Sequence, residues 1–514
     1  MIHTRQKLTR DSLGLAFTQY AVRAISMARS FLAAKVLDPV SFGVWNALQL
    51  MMDYGSLAPL GTQQGLDQLV PVRLVEGDAQ RTMRLKRAAL FNVVVLSLLF
   101  SACGLAWASV GSSRMRANWH LSGLAMAFAC VLLVNVANLG TSILRSHGDI
   151  GGLTRWFVLQ GLVGSGLGLV LMFWFGRWGL LWGWLAGCFV AFVFVAYRGR
   201  QVLPHTPSPS AEGLDLLQVG IPLYVFSASG LVMRNLDRIV VLRFLGTQAL
   251  GYYGLSVNVL TLLMAVPDSL AYVSYPQLVK RFEEAGGDPA AIRERVDRLV
   301  RAVAVTLPLA ACLCALWARE LVHALLPRYD ACVPALRILA FGATGLALST
   351  FASIVLMTVG RRIILVPSAM FLTALSGGLQ ILSLRWNGGL AGIAAAAAGA
   401  YLLSGGVLLT LAAVGLNFTF GRGLELIVRS VAPTGIASLL AVGIHLLLLH
   451  DPSPLTLQRF GVLLGASALA SGAYVLLASP FARGAGLRAL VAEAELPMLS
   501  ALVRRMRRTD RGPV

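Results

Sequence analysis

Apolar runs of about 20 residues or more, each closed by a short basic or Gly/Pro-rich break, recur along the whole chain. A helix of about 20 apolar residues crosses the hydrocarbon core of a bilayer. The pattern therefore predicts about fourteen membrane helices, over 11–37, 41–66, 88–110, 120–144, 152–175, 178–197, 214–243, 248–275, 301–320, 334–358, 363–384, 388–413, 427–449 and 457–478. The expected fold class is an all-α polytopic membrane protein with no room for a sizeable soluble domain. Two breaks differ from the rest. The Pro/Ser-rich stretch YRGRQVLPHTPSPSAEG (Tyr197 to Gly213) cannot form a regular helix and reads as a cytoplasmic linker. KRFEEAGGDPAAIRERVDRLVR (Lys280 to Arg301) has a Gly-Gly-Asp-Pro break before a segment of mixed charge, expected as a cytoplasmic surface helix.

The runs also repeat. LDPVSFGVW (Leu37 to Trp45) aligns with LGTQALGYY (Leu245 to Tyr253), ILRSHGD (Ile143 to Asp149) with VLMTVGR (Val355 to Arg361), and GLLWGWLAG (Gly179 to Gly187) with GLAGIAAAA (Gly389 to Ala397). Two halves of six helices follow, inserted with the same orientation and related by a pseudo-twofold along the membrane normal, as in transporters built from parallel repeats. The expected organisation is an N-terminal lobe (1–197), a cytoplasmic linker (198–213), a C-terminal lobe (214–413), two extra helices (414–480) outside the repeat and a basic cytoplasmic tail (481–514).

Composition agrees with the membrane reading. The 514 residues are 57% hydrophobic and 13% charged, against roughly 25% charged in soluble domains, and the mean hydropathy is +0.73. A net charge of +20 raises the question of nucleic acid. With both termini inside, however, about two thirds of the 43 Lys and Arg fall on the cytoplasmic side, so the charge is topological and nucleic acid is not expected. RTMRLKR (Arg81 to Arg87), read as a loop, and the tail segment RRMRRTDR (Arg504 to Arg511) are placed to touch anionic membrane lipid. Arg5, Lys7 and Arg10 precede an apolar run like a signal peptide, but no small-residue cleavage site follows and the run carries Arg23 and Arg29, so a retained first helix is expected. Six scattered cysteines and seven unclustered histidines show no ligand spacing, and neither metal nor cofactor is expected.

Ionisable groups inside apolar runs are costly and mark functional positions. The first helix carries Arg23, Arg29 and Lys35, and the seventh, its repeat equivalent, carries Arg234, Asp237 and Arg238. Gln19, Ser26 and Ser30 accompany the first set, and Ser227 and Asn235 the second, as in helices lining a hydrated cavity. Arg234 and Arg238 share a helix face, and Asp237 is spaced to pair with Arg234 or to couple an ion. Guanidinium forks match phosphate oxygens, so Arg23, Arg29, Arg234 and Arg238 are the candidate anion-binding groups. Lys35 and Arg243 lie near helix ends and are expected to snorkel. The Gly-rich LQGLVGSGLGLVL (Leu159 to Leu171) reads as a helix-packing face, and Pro222, Pro267 and Pro308 as possible kinks.

Arg29 with LAAKVLDPVSFGVWNAL, repeated as DRIVVLRFLGTQALGYYGL, resembles the helix-loop-helix of the multidrug/oligosaccharidyl-lipid/polysaccharide exporter superfamily, most of all its polysaccharide branch, the Wzx-type flippases. VSYPQLVKRFEE (Val273 to Glu284) is similar to that branch's end of helix eight, and ILRSHGD to its turn between helices four and five. One departure is Asp38, where the family has Gly. The resemblance implies a V-shaped, two-lobed bundle that moves an undecaprenyl-pyrophosphate-linked oligosaccharide from the inner to the outer leaflet of the bacterial cytoplasmic membrane by alternating access, for O-antigen, exopolysaccharide or capsule. It also implies that arginines matching Arg23 and Arg29 line the cavity, with a polysaccharide polymerase and chain-length proteins as candidate partners.

Two other functions compete. A cation-coupled multidrug exporter of the same superfamily wants acidic cavity residues, whereas one carboxylate stands here against several arginines. A membrane-embedded glycan polymerase or ligase wants a large outer loop, and no outer loop exceeds roughly 15 residues. A transporter rather than an enzyme is therefore expected.

Overall fold

The computed structural model describes residues 18, 21, 22, 24–76, 78–110, 121–147, 149–198, 204, 206–209, 211–448 and 457–482. The described residues are helical, without strands. Helix α1 covers 24–36. It is followed by α2 (Pro39–Gly55), α3 (Thr62–Glu76), α4 (Ala79–Val110), α5 (Leu121–Ser146), α6 (Ile150–Phe175), α7 (Arg177–Arg198), α8 (Glu212–Phe244) and α9 (Gly246–Glu284). Then come α10 (Ala290–Leu325), a 3₁₀ turn (Pro327–Cys332), α11 (Val333–Thr358), α12 (Arg362–Arg385), α13 (Gly389–Gly415), α14 (Phe420–Leu448) and α15 (Leu457–Ala482). Among the described residues eleven helices are long and apolar enough to cross a membrane, or twelve if the bent α8 is counted as one span. The protein is an all-α, multi-pass membrane protein.

Three expectations need correction. The run 41–66 is not one helix but two, α2 and α3, separated by a turn in which Leu60 and Gly61 take φ of 46° and 91°. A left-handed Leu costs roughly 1–2 kcal/mol, and the backbone freed by the turn must find partners inside the membrane. Asn135 of α5, fully buried, supplies one, its Nδ2 donating to Gly55 O at 3.0 Å, while the Gln63 side chain beyond the turn donates through Nε2 to the backbone O of Asn135 at 3.2 Å. RTMRLKR is not a loop, because α4 begins at Ala79 and includes it. The mixed-charge segment after the Gly-Gly-Asp-Pro break is likewise no separate surface helix; it is the first part of α10, continuous to Leu325. Its Arg293 Nε donates to Leu416 O at 2.6 Å, at the C-terminal end of α13 where a cation is favoured.

The chain packs as two compact units, 1–258 and 259–514. In the first, α6 and α7 meet along the Gly-rich face. A Cβ on Gly183 would lie 2.1 Å from Gly168 Cα, and one on Gly187 2.6 Å from Gly164 Cα, so only glycine permits this approach. A cluster around Leu66, Val70, Ala88, Val93 and Ile143 binds α3, α4, α5 and α8 together. Helix α8 bends by 43° between Val225 and Ser227, three residues beyond Pro222, whereas α9 and α10 run through Pro267 and Pro308 as single helices. In the second unit, α14 and α15 pack on α10. Tyr474 Oη donates to Val305 O at 2.7 Å and Trp317 Nε1 to Ser467 Oγ at 2.8 Å, over an apolar cluster that includes Cys312, Leu316, Ala437 and Leu463.

Candidate functional site

The first helical hairpin of each half is closed differently, and the difference begins in its turn. Asp38 caps α2, its carboxylate accepting from Val40 N and Ser41 N at 3.1 Å each, with extended backbone at φ −72°. Its repeat equivalent, Gly246, turns at φ +88°. The first turn is thus closed by a side-chain cap and its equivalent by a left-handed glycine. Beyond the turns α2 and α9 touch backbone to backbone: a Cβ on Gly43 would lie 1.8 Å from Thr247 O, and one on Gly251 2.0 Å from Pro39 O. Gly43 and Gly251, and likewise Pro39 and Thr247, are related by the 208-residue offset that relates Leu37 to Leu245. The repeat is therefore expressed as a reciprocal contact inside the first unit.

The same offset relates Arg29 to Asp237 and Trp45 to Tyr253. Each of these charges meets the aromatic ring sixteen residues further on. Arg29, 4% exposed, lies over the Trp45 ring at 5.4 Å and over the Trp184 ring of α7 at 5.2 Å. The two indoles are edge to face with centroids 6.1 Å apart. Asp237, 1% exposed, accepts from Tyr253 Oη at 2.8 Å and from Arg238 N at 2.8 Å. The two halves thus keep a buried charge at equivalent positions but with opposite sign.

Arg29 borders a cavity of about 150 Å³ between α1, α6 and α7, lined also by Ser26, Gln160, Ser165 and Trp184. Ser26 and Ser165 share a hydrogen bond at 3.3 Å. Among the described residues, Arg29 Nε and Trp184 Nε1 are buried without hydrogen-bond partners. The cavity wall is otherwise largely apolar, with Val22, Phe157 and Cys188 beside these polar groups.

The remaining candidates fall into three groups. Arg23 and Gln19 lie outside the described residues. Ser30 and Ser227 donate to their own helix, to Ser26 O and Leu223 O at 3.0 Å each, and Asn235 is buried in α8. Arg234 is exposed, while Arg238 is partly buried and acts electrostatically on Asp53 and Tyr54 at the end of α2. Asp53 and Tyr54 were not among the candidates. The carboxylate in MMDYG stands inside an apolar run, so the rule that picked out Asp237 applies to it as well. Lys35 and Arg243 are exposed near helix ends, as snorkelling requires, with Arg243 over the Phe244 ring at 5.8 Å. The basic tail from 483 onward lies outside the described residues.

A family model described as polysaccharide biosynthesis protein matches residues 32–334, more than half of the chain. Among solved structures, the lipid II flippase MurJ in an inward closed conformation superposes with a TM-score of 0.67 at 11% identity, covering 91% of this chain and 98% of its own. An inward-facing multidrug resistance MATE family transporter of the MOP superfamily gives 0.59 at 16%, covering 78% of this chain and 98% of its own. A MOP superfamily transporter from Pyrococcus furiosus gives 0.55 at 18%, covering 80% and 95%. At these identities the likeness is one of fold. No curated protein sequence matches the chain.

Proposed function

Because the chain belongs to the polysaccharide biosynthesis protein family, and its fold is that of the MOP transporters, we propose that it is a flippase. Its cargo is an undecaprenyl-pyrophosphate-linked oligosaccharide, carried from the inner to the outer leaflet of the bacterial cytoplasmic membrane by alternating access. Both termini are cytoplasmic in this reading. Arg29, with Arg23, Arg234 and Arg238, holds the pyrophosphate. The observation that carries the proposal is the guanidinium of Arg29, which is 4% exposed, with an Nε that has no hydrogen-bond partner among the described residues, beside a cavity that also carries Ser26, Gln160, Ser165 and Trp184. A buried cation of this kind calls for an anion.

A cation-coupled exporter is the second reading, and the carboxylates of Asp53 and Asp237 in one unit favour it. The two readings separate in a strain lacking all related flippases. Without this protein, the lipid-linked precursor should accumulate where externally added enzymes cannot reach it, since sugars and pyrophosphate do not cross hydrocarbon unaided. Equal access with and without the protein would exclude the flippase.

A further inference from the structure

An apolar groove of about 650 Å³ runs between α4, α5 and α7 of the first unit, walled by Leu90, Val94, Leu132, Val136 and Phe192 and closed at one end by Pro204 of the linker. Along the same helices, Leu98 lies one turn beyond Val94 of α4 and Val193 lies next to Phe192 of α7, and with Leu99 and Phe189 they are exposed. A groove continuous with such a surface in a multi-pass membrane protein is filled from the lipid phase rather than from water. The linker is held over this end by its backbone, Ser208 N donating to Arg87 O at 3.4 Å.

Arg87 is the polar end of the same stripe. It precedes Leu90 by three residues and Val94 by seven, so all three share one face of α4. The neighbouring cations are engaged: Arg84 pairs with Glu212 at 3.4 Å, Arg198 with Asp149 at 3.1 Å, and Lys86 is buried against His147 at 3.4 Å. Arg87 is exposed, and among the described residues no side chain pairs with it. Among the described residues, an apolar groove with one uncommitted guanidinium at its rim matches a ligand with one hydrocarbon chain to bury and one negative charge. We propose that the groove binds the acyl chain of an anionic phospholipid whose phosphate is held by Arg87. The site is separate from the Arg29 cavity and does not depend on what the protein carries.

The test uses the full chain in nanodiscs containing either phosphatidylglycerol or phosphatidylcholine with a photoactivatable group in the acyl chain, and crosslinked peptides are read by mass spectrometry. Labels should fall on α4, α5 and α7 around Val94, Val136 and Phe192, with phosphatidylglycerol favoured about fivefold, the effect of one cation at an anionic interface. Arg87→Gln should bring that ratio to about one while labelling persists. Val136→Trp and, independently, Val94→Trp should remove labelling by both lipids, with each variant first shown to elute as a single species. Equal labelling by the two lipids in the unaltered protein, or labelling unaffected by both groove-filling changes, would overturn the proposal. So would displacement of phosphatidylglycerol by an equimolar polyprenyl phosphate, which would make the groove a carrier-lipid site instead.

Discussion

Arg29 is the residue whose environment is hardest to reconcile with a purely structural role. Two indole faces each offer a desolvated guanidinium about 2 kcal/mol, but a ring face supplies neither a counter-charge nor an acceptor in the guanidinium plane. Among the described residues Nε has no hydrogen-bond partner. Arg29→Ala should therefore abolish export at unchanged membrane abundance, while Arg29→Lys, which keeps the charge but loses the fork and the flat stacking face, restores it only in part. Complementation of a flippase deletion with matched protein levels reads both, and full export by Arg29→Ala would remove Arg29 from the site. The equivalent charge makes a different prediction. Tyr253→Phe deletes the hydroxyl that serves Asp237 and leaves a buried carboxylate short of a donor, which costs about 2 kcal/mol. Thermal unfolding in detergent should show the loss, and Asp237→Asn should suppress most of it, because an amide tolerates the apolar neighbour better than a carboxylate does. Both charges were visible in the sequence as ions inside apolar runs. Their partners were not, since Trp45, Trp184 and Tyr253 look like ordinary core aromatics until packing brings them onto Arg29 and Asp237.

At the scale of elements, hydropathy located the helices well and their ends poorly, for an identifiable reason. Apolar content marks what lies in hydrocarbon, whereas a helix continues as long as its backbone hydrogen bonds do. Hence α4 runs back through RTMRLKR, and α10 back through the charged residues after Pro289. The α2/α3 break was hidden because Leu-Ala-Pro-Leu-Gly is apolar, and only Pro59 and Gly61 signalled a turn. Nor did the aligned segments announce that Gly43 and Gly251 would meet in a close backbone contact. Gly43→Val would need a side chain where Thr247 O already stands at 1.8 Å from the Cβ position. The penalty should exceed the 1–3 kcal/mol of ordinary overpacking, seen as loss of the monodisperse peak in size exclusion. The turn between α5 and α6 supports a pH prediction. Burial alone would raise the Asp149 carboxyl, but the Arg198 hydrogen bond, the Gly152 N–H and the charges of Arg198 and Arg155 outweigh it and hold the group below the usual carboxylate range. A depressed carboxyl stabilises above its unfolded value, about 3.9, and that contribution disappears as pH falls through the folded value. Asp149→Asn should therefore melt lower than the unaltered protein at neutral pH, by no more than about 1 kcal/mol for so exposed a pair. The two melting temperatures should begin to converge as pH falls below about 4 and meet only once it has passed the lower folded value.

For the whole molecule the question is what drives the cycle, and the charges constrain the answer. An inside-negative membrane potential favours outward movement of an anion by roughly 2.3 kcal/mol per charge per 100 mV. If Arg23, Arg29 and their neighbours neutralise the pyrophosphate, the loaded carrier feels little of that field, and it is the empty, cationic site that is drawn back inward. Either stroke can be electrical, so the potential should matter whichever step is slow. A carrier using its carboxylates instead would depend on an ion gradient, and Asp237, buried and held by Tyr253, is the group through which a proton or sodium ion would act. The two cases part in sealed vesicles at constant pH on both sides. Collapsing the potential with potassium and valinomycin should slow the appearance of precursor in the opposite leaflet. A rate unchanged by that treatment but reduced when the proton or sodium gradient is removed would transfer the drive to Asp237, and Asp237→Asn would then stop transport rather than merely weaken it.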